Sequence, residues 1–208
     1  MVRVIMIVVG LGAAVGTALW GIQPEAPSPD PGPAAETTGT ESASADVGGD
    51  EALSGSQQQL FDRYPGLLFL IGKSANANIV LYRGMTQQGQ WQSPEVESEW
   101  LMLAEQGQIE AVTTLEEKAF GFTVSPGDDA AARALTLQAV PERAITLTYD
   151  ETLQRPVAST VLNGQNVRLV RIFVQATSNF LGVPTVEYID LFGYDKDQNV
   201  VTERLTND

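Results

Sequence analysis

The chain has 208 residues and a formal net charge of −14, from 26 acidic and 12 basic side chains. An acidic surface repels phosphate backbones and anionic headgroups, so we expect no nucleic-acid binding and no docking on lipid through a basic patch. Cysteine and histidine are both absent, which excludes disulfides, Ser-His-Asp and Cys-His catalysis, and ordinary zinc or haem ligation. We expect no cofactor and no metal site.

The first twenty residues have the pattern of a targeting segment. Arg3 is followed by an unbroken apolar run over residues 4–20, a length that fits a short membrane span or the core of a signal peptide. The single cation at the start predicts that the N-terminus is cytoplasmic and that the remainder lies outside the cytoplasm. A cleaved signal peptide and a retained anchor, which would contact the membrane through residues 4–20, are both open.

Residues 21–56 are rich in Pro, Ala, Gly, Ser and Thr, and their seven acidic side chains face no basic one. Such a composition cannot bury enough apolar surface to offset the entropy of ordering the chain. We therefore expect a disordered acidic spacer, followed by a β-domain over residues 57–208.

Short apolar runs separated by turn signals predict that this domain is all-β. The first pair of strands is Leu67–Ile71 and Ile79–Leu81, and roughly nine strands follow from the whole pattern. Short connections leave no room for a crossover, so we expect an antiparallel meander that forms a barrel or a sandwich.

Three further segments carry local predictions. The run Gln57–Tyr64 favours a short helix or a turn that ends at the following Pro-Gly pair. A second short helix is predicted within Ile109–Ala119, where Thr114 and Glu117 have capping-box spacing. The sequence Asn163–Asn166 (NGQN) predicts a tight hairpin turn.

The corner between the first two strands, Gly72–Asn78, is the densest cluster of small polar side chains. Lys73, Ser74, Asn76 and Asn78 could hold an anion or a polar ligand there. The alternative is a hairpin corner in which Ser and Asn satisfy their own backbone.

Three other groups of charged residues give weaker functional hypotheses. Glu97 and Glu99 share one face of a strand and are the candidates for carboxylate-based hydrolysis. Asp195–Asn199 opens like a calcium loop but lacks the turn glycine that should follow, so a hairpin turn explains it better. Alternation predicts that Arg168 and Arg171 point to opposite faces of their strand.

Four segments carry a resemblance to a known family. They are LLFLIGKSANANIVLYRG, SPEVESEWLML, LEEKAFGF and VEYIDLFGYDKDQNVVTERL. Together they resemble the bacterial family described as domain of unknown function 4833. The likeness covers most of residues 67–208. It implies the domain boundary and draws attention to the strand-ending Tyr82 and to Lys118 in the Lys-Ala-aromatic-Gly element. With these two, the candidate ligand-binding residues are Lys73, Ser74, Asn76, Asn78, Tyr82 and Lys118.

Because the family carries no known activity, function is argued from the residues. We expect an extracytoplasmic, non-enzymatic module, either binding or structural within the cell envelope, whose partner is a small ligand or an envelope protein. Two alternatives remain. One is a hydrolase that works without His or Cys, and the other is an interaction module that pairs through an exposed strand edge.

Overall fold

The computed structural model describes residues 52–114, 116–178 and 184–206. Within these ranges the chain is mostly β-structure, with 62% in strands and 10% in helices. The elements, in order, are α1 (Gly55–Arg63), β1 (Leu67–Lys73), β2 (Asn76–Gln87), β3 (Gln90–Met102), a 3₁₀ turn (Leu103–Glu105), β4 (Gln108–Ala111), α2 (Glu117–Phe120), β5 (Phe122–Pro126), β6 (Arg133–Leu137), β7 (Ile145–Asp150), β8 (Arg155–Leu162), β9 (Gln165–Ser178), β10 (Pro184–Tyr194) and β11 (Val200–Thr206). The all-β prediction is confirmed.

Helix α1 begins with a complete capping box. The Ser54 hydroxyl accepts a hydrogen bond from the Gln57 backbone, and the Gln57 side chain accepts one from the Ser54 backbone. These bonds satisfy two of the amides that a helix start leaves open. The predicted helix is therefore confirmed, and Phe61 is its buried side chain.

The strands form one curled sheet, a half-barrel with the order β4-β3-β2-β1-β9-β8-β7-β6-β5. Strand β10 pairs with β9 and β11 off this path. The expectation of purely antiparallel pairing was wrong at one place, because β1 and β9 are parallel. No local crossover is needed there, since all of β2 to β8 separates the two strands along the chain.

Strand β1 is buried on both faces, as its continuous apolar run LLFLI requires. One face joins a large cluster that fills the curl of the sheet and includes Phe69, Tyr82, Trp100 and Phe120. The other face joins a smaller cluster in which Phe61 of α1 covers residues such as Leu70 and Val170. Each large side chain buried in this way contributes about 1.5–3 kcal/mol.

Two predictions concern the connections between strands. One was mostly wrong and the other is confirmed. The helix expected within Ile109–Ala119 was mostly wrong, because β4 occupies its first part and only the short α2 follows. The hairpin after β8 is confirmed, since Asn163 and Gly164 both have positive φ values of 48° and 79°.

The predicted targeting segment and most of the predicted spacer lie outside the described residues. Among the helices that the structure does describe, none is long and apolar enough to cross a membrane.

Candidate anion-binding face

The residues of the predicted corner make separate contacts. The Ser74 hydroxyl bridges to the end of β9, donating to the Ala176 carbonyl and accepting from the Ala176 amide, both at 3.0 Å. The Asn76 side chain accepts a hydrogen bond from the Asn78 backbone N–H at 3.1 Å. The side-chain amide nitrogen of Asn78 lies 3.4 Å from the sulfur of Met102. Asn76 therefore supports the local backbone, as a hairpin corner would, whereas Ser74 ties the corner to β9.

Lys73 lies against aromatic rings at the end of β1. Its Nζ is 4.4 Å from the centre of the Trp100 ring and 5.9 Å from that of Phe120. Burial lowers the pKa of Lys73, and the negative charge of Glu116 acts in the opposite direction. Glu116 itself accepts two hydrogen bonds from Thr113, which hold its carboxylate in place.

Tyr82 and Lys118 lie in opposite environments. The Tyr82 side chain is fully buried in the filled interior and donates to the Phe120 carbonyl at 2.5 Å, whereas Lys118 is exposed on α2. Burial raises the pKa of Tyr82 far above its ordinary value. The six candidate residues do not face one enclosed space, and ligand binding by them stays a prediction.

The outer face of β8, β9 and β10 brings together residues that the sequence did not connect. Arg168 lies opposite Tyr194, and Arg171 lies opposite Phe192. Because residues two apart in a strand share a face, Phe192 and Tyr194 place both arginines on one side of the sheet. The prediction of opposite faces was wrong.

A β-bulge in β9 is the reason. The partners step from Phe192–Arg171 to Gly193–Leu169, so Val170 is one extra residue on β9. The extra residue shifts the alternation and turns Arg168 to the side of Arg171. Gly193 allows this close approach, since a Cβ there would lie 2.6 Å from a Val167 methyl carbon and 2.8 Å from the Arg168 carbonyl oxygen.

A third arginine joins them from β8. Ser159 pairs with Arg168, and Arg155 is four residues earlier on the same strand and so on the same face. Burial lowers the pKa of Arg168, and the positive charge of Arg155 lowers it further. The two guanidinium groups are therefore close enough to repel each other.

Each of these guanidinium groups packs on an aromatic ring. The carbon at the centre of the group is 5.4 Å from the Phe61 ring for Arg155 and 5.6 Å from the Tyr194 ring for Arg168. For Arg171 it is 4.8 Å from Phe192 and 5.4 Å from Phe173. These distances lie within the range of cation–π attraction. We call Arg155, Arg168 and Arg171 with these four rings the arginine face.

The arginine face has no acidic partner among the described residues. Four other described arginines do have one, and their pairs are Arg83 with Glu97 and Glu99, Arg133 with Glu95, Arg143 with Glu203, and Arg204 with Asp190. The Nε atoms of Arg155 and Arg171 are buried and make no hydrogen bond. Three half-buried cations thus lack an ion pair among the described residues of an acidic chain.

Two acids act electrostatically on these arginines and also make other contacts. Asp150 favours the charged form of Arg168, but its carboxylate accepts from the amides of Thr152 and Leu153 at 2.8 and 3.0 Å. Asp190 favours the charged form of Arg171, but Arg204 binds both of its oxygens, at 2.6 and 2.7 Å. Asp190 is therefore already neutralised by Arg204, whereas Asp150 accepts its hydrogen bonds from those two amides, keeps its charge and offsets part of the positive charge of the face.

The other acidic candidates are also engaged. Glu97 and Glu99 both lie on one guanidinium, at 3.0 and 3.1 Å from Nη2 of Arg83. Asp195 accepts hydrogen bonds from the amides of Asp197 and Asn199, both at 2.8 Å, which is the hairpin turn that we expected.

An open cleft of about 730 Å³ lies elsewhere, between the turn at Gly89 and the loop before β6. Tyr149, Asp128, Asp129 and Arg133 are among its lining residues. Because Arg133 is paired with Glu95, this cleft presents acids without a free described cation.

One comparison with known proteins is informative. The sequence profile described as "Domain of unknown function (DUF4833)" matches residues 69–204, well over half of the chain. The chain belongs to this family. The DUF4833 match runs from β1 to β11, so it includes the three arginines and leaves out α1 with Phe61. No curated protein and no solved structure matches the chain.

The sequence did contain a signal for the arginine face. Residues 152–186 hold three arginines and no acidic residue, in a chain where acids outnumber bases by 26 to 12. That local reversal of charge marks a cationic segment, although it does not show which face each arginine occupies.

Proposed function

We propose that this DUF4833 domain is an extracytoplasmic, non-enzymatic binding module that takes an anionic ligand on the arginine face. The observation that carries the proposal is the set of three half-buried guanidinium groups without an acidic partner among the described residues.

Such an arrangement costs stability in the absence of a ligand. A half-buried charge loses hydration, and a nearby like charge adds repulsion. A lysine can give up its proton in this situation, but arginine stays protonated in proteins. An anion that binds would offset both costs, since it supplies the missing countercharge and the missing hydrogen-bond acceptors.

The aromatic rings support a binding role. Each guanidinium group contacts a ring that restricts its motion, so less side-chain freedom is lost when a ligand binds. Planar, preorganised guanidinium groups suit anions that carry two or more oxygens.

The extracytoplasmic part of the proposal rests on the sequence, where Arg3 and the apolar run over residues 4–20 form a targeting pattern. The non-enzymatic part rests on chemistry and on geometry. Histidine and cysteine are absent, and the two glutamates of the hydrolase alternative share the single guanidinium of Arg83.

The test is calorimetric titration of the full-length protein, in a mild detergent, with inorganic phosphate at constant ionic strength maintained by chloride. We expect saturable binding that weakens by about tenfold or more in Arg168→Gln, the loss that follows from removing one charge-assisted hydrogen bond. Circular dichroism would check that the variant is folded.

Arg133→Gln is the matched control, because its guanidinium is already paired with Glu95. Its phosphate affinity should stay within about twofold of the wild type, since it removes no uncompensated cation. Absence of saturable binding by the wild type, or equal loss in the two variants, would refute the proposal.

A further inference from the structure

We infer that the group bound by the arginine face is a doubly charged tetrahedral oxyanion, a phosphate monoester, rather than a carboxylate. The inference rests on the proposed function and adds the chemical class of the ligand.

The first argument is the number of donors on one face. The bulge at Val170 places Arg168 and Arg171 on the side that already carries Arg155. Each guanidinium group can present a pair of N–H donors to an anion. A carboxylate has two oxygens and is satisfied by one such fork, whereas a phosphate or sulfate ester has three terminal oxygens that point in different directions.

The second argument concerns which atoms a ligand can reach. The Nε atoms of Arg155 and Arg171 are buried, so an anion that approaches from solvent meets only the Nη atoms of these two residues. An anion with several oxygens can accept such end-on contacts from more than one arginine. Side-on capture of a carboxylate by Nε and Nη of a single arginine is not open to these two residues.

The third argument is charge. Three guanidinium groups bring three positive charges, of which the charged carboxylate of Asp150 offsets part, while Asp190 is paired with Arg204. A carboxylate ligand would still leave positive charge uncompensated. A phosphate ester carries about −1.5 to −2 at neutral pH and would offset most of them.

The size of the ligand is bounded by the rest of the surface. The described part of the domain contains more acids than bases, so a long polyanion would be repelled beyond the arginine face. The ligand that fits is a small ester whose single anionic group lies among the three arginines.

The test compares three probes by calorimetry with the full-length protein at pH 8 and constant ionic strength. We expect inorganic phosphate and sulfate to bind at least about tenfold more tightly than acetate, because each engages more than one charged donor pair. Arg155→Gln, Arg168→Gln and Arg171→Gln should each weaken phosphate binding by about tenfold, and should change acetate binding by less than about threefold.

Phenyl phosphate and phenyl sulfate then separate charge from shape, since both esters have three terminal oxygens but the sulfate ester carries a single charge. Phenyl phosphate should bind more tightly, and equal binding of the two esters would overturn the inference. Acetate binding as tight as phosphate binding would overturn the inference while the proposed anion-binding function stands. Loss of phosphate binding in only one of the three variants would also overturn it, because the ligand would then use one arginine. Failure of all three probes to bind would instead refute the proposed function.

Discussion

Tyr82→Phe is the most informative change in the interior, because it removes one oxygen atom and keeps the ring. The ring stacks on Phe69 with centres 4.7 Å apart and meets Phe122 edge-on at 5.9 Å. Phenylalanine preserves both contacts. The only lost interaction is the hydrogen bond from the Tyr82 hydroxyl to the Phe120 carbonyl, which ties β2 to the end of α2.

The expected loss at pH 7 follows from burial. A hydrogen bond of this kind contributes about 0.5–1.5 kcal/mol, and a buried carbonyl left without a donor adds a further cost of about 1–3 kcal/mol. Because the cavity left by one oxygen is small, we expect the free energy of unfolding to fall by about 2 kcal/mol.

The pH dependence is a second and independent consequence. Burial raises the pKa of Tyr82 in the folded state, while an unfolded tyrosine titrates near about 10. Below pH 10 both states keep the proton, and the stabilising effect of the folded phenol is complete. Above pH 10 only the unfolded state releases it, so the wild type loses about 1.4 kcal/mol of stability per pH unit. Tyr82→Phe lacks this group, so the difference between the two proteins should shrink by about 1.4 kcal/mol at pH 11.

Urea unfolding of the full-length protein at pH 7, 9, 10 and 11 measures both effects. Trp100 is a suitable reporter, since it is buried and its ring centre lies 5.2 Å from that of Phe120. Tyr149→Phe is the control, because that ring lines an open cleft and is only partly buried; we expect a change of less than about 0.5 kcal/mol. A difference between wild type and Tyr82→Phe that stays constant from pH 7 to pH 11 would refute the reasoning on burial.

Two further predictions concern the ion pair beside the arginine face and the location of the domain. Asp190→Asn should lower the free energy of unfolding by about 2 kcal/mol, because it breaks a bidentate ion pair whose carboxylate is buried. The loss stays below that of a fully buried pair, because Arg204 is half exposed and recovers part of its hydration. Thermal and urea unfolding would measure it, and a loss below about 0.5 kcal/mol would show that the pair is not a stabilising contact. The protein can be fused at its C-terminus to a reporter enzyme that is active only outside the bacterial cytoplasm, and we expect this reporter to be active. The double change Val9→Asp and Leu11→Asp places two charges within the apolar run over residues 4–20 and should abolish the reporter activity. An active fusion in both forms would contradict the targeting prediction.

Local chemistry determined the elements that the sequence could predict. Ser54 and Gln57 form the capping box that begins α1, and Asn163 with Gly164 adopts the left-handed backbone that a tight hairpin needs. The run Leu67–Ile71 is apolar at every position, which indicates a strand covered on both faces. In each case the signal lies within a few neighbouring residues, so no distant contact is required to interpret it.

The sequence could not predict that the three arginines share one face, for a physical reason. A strand pattern has period two, and one extra residue reverses the face of every side chain that follows. The bulge at Val170 is sterically possible because Gly193, on another strand, allows the two backbones to come together. The parallel pairing of β1 with β9 likewise depends on strands that lie far apart along the chain.

By itself, the sequence determined the absence of histidine and cysteine chemistry, the all-β class, the first helix and the hairpin, because composition and short-range backbone preference are enough to specify them. Only the tertiary structure decided that Ser74 ties its corner to β9, that Tyr82 is an interior hydrogen-bond donor, and that three arginines share one face without an ion pair among the described residues. Those outcomes depend on which strands pair and in what register, and register is set by contacts between residues that are distant in the chain.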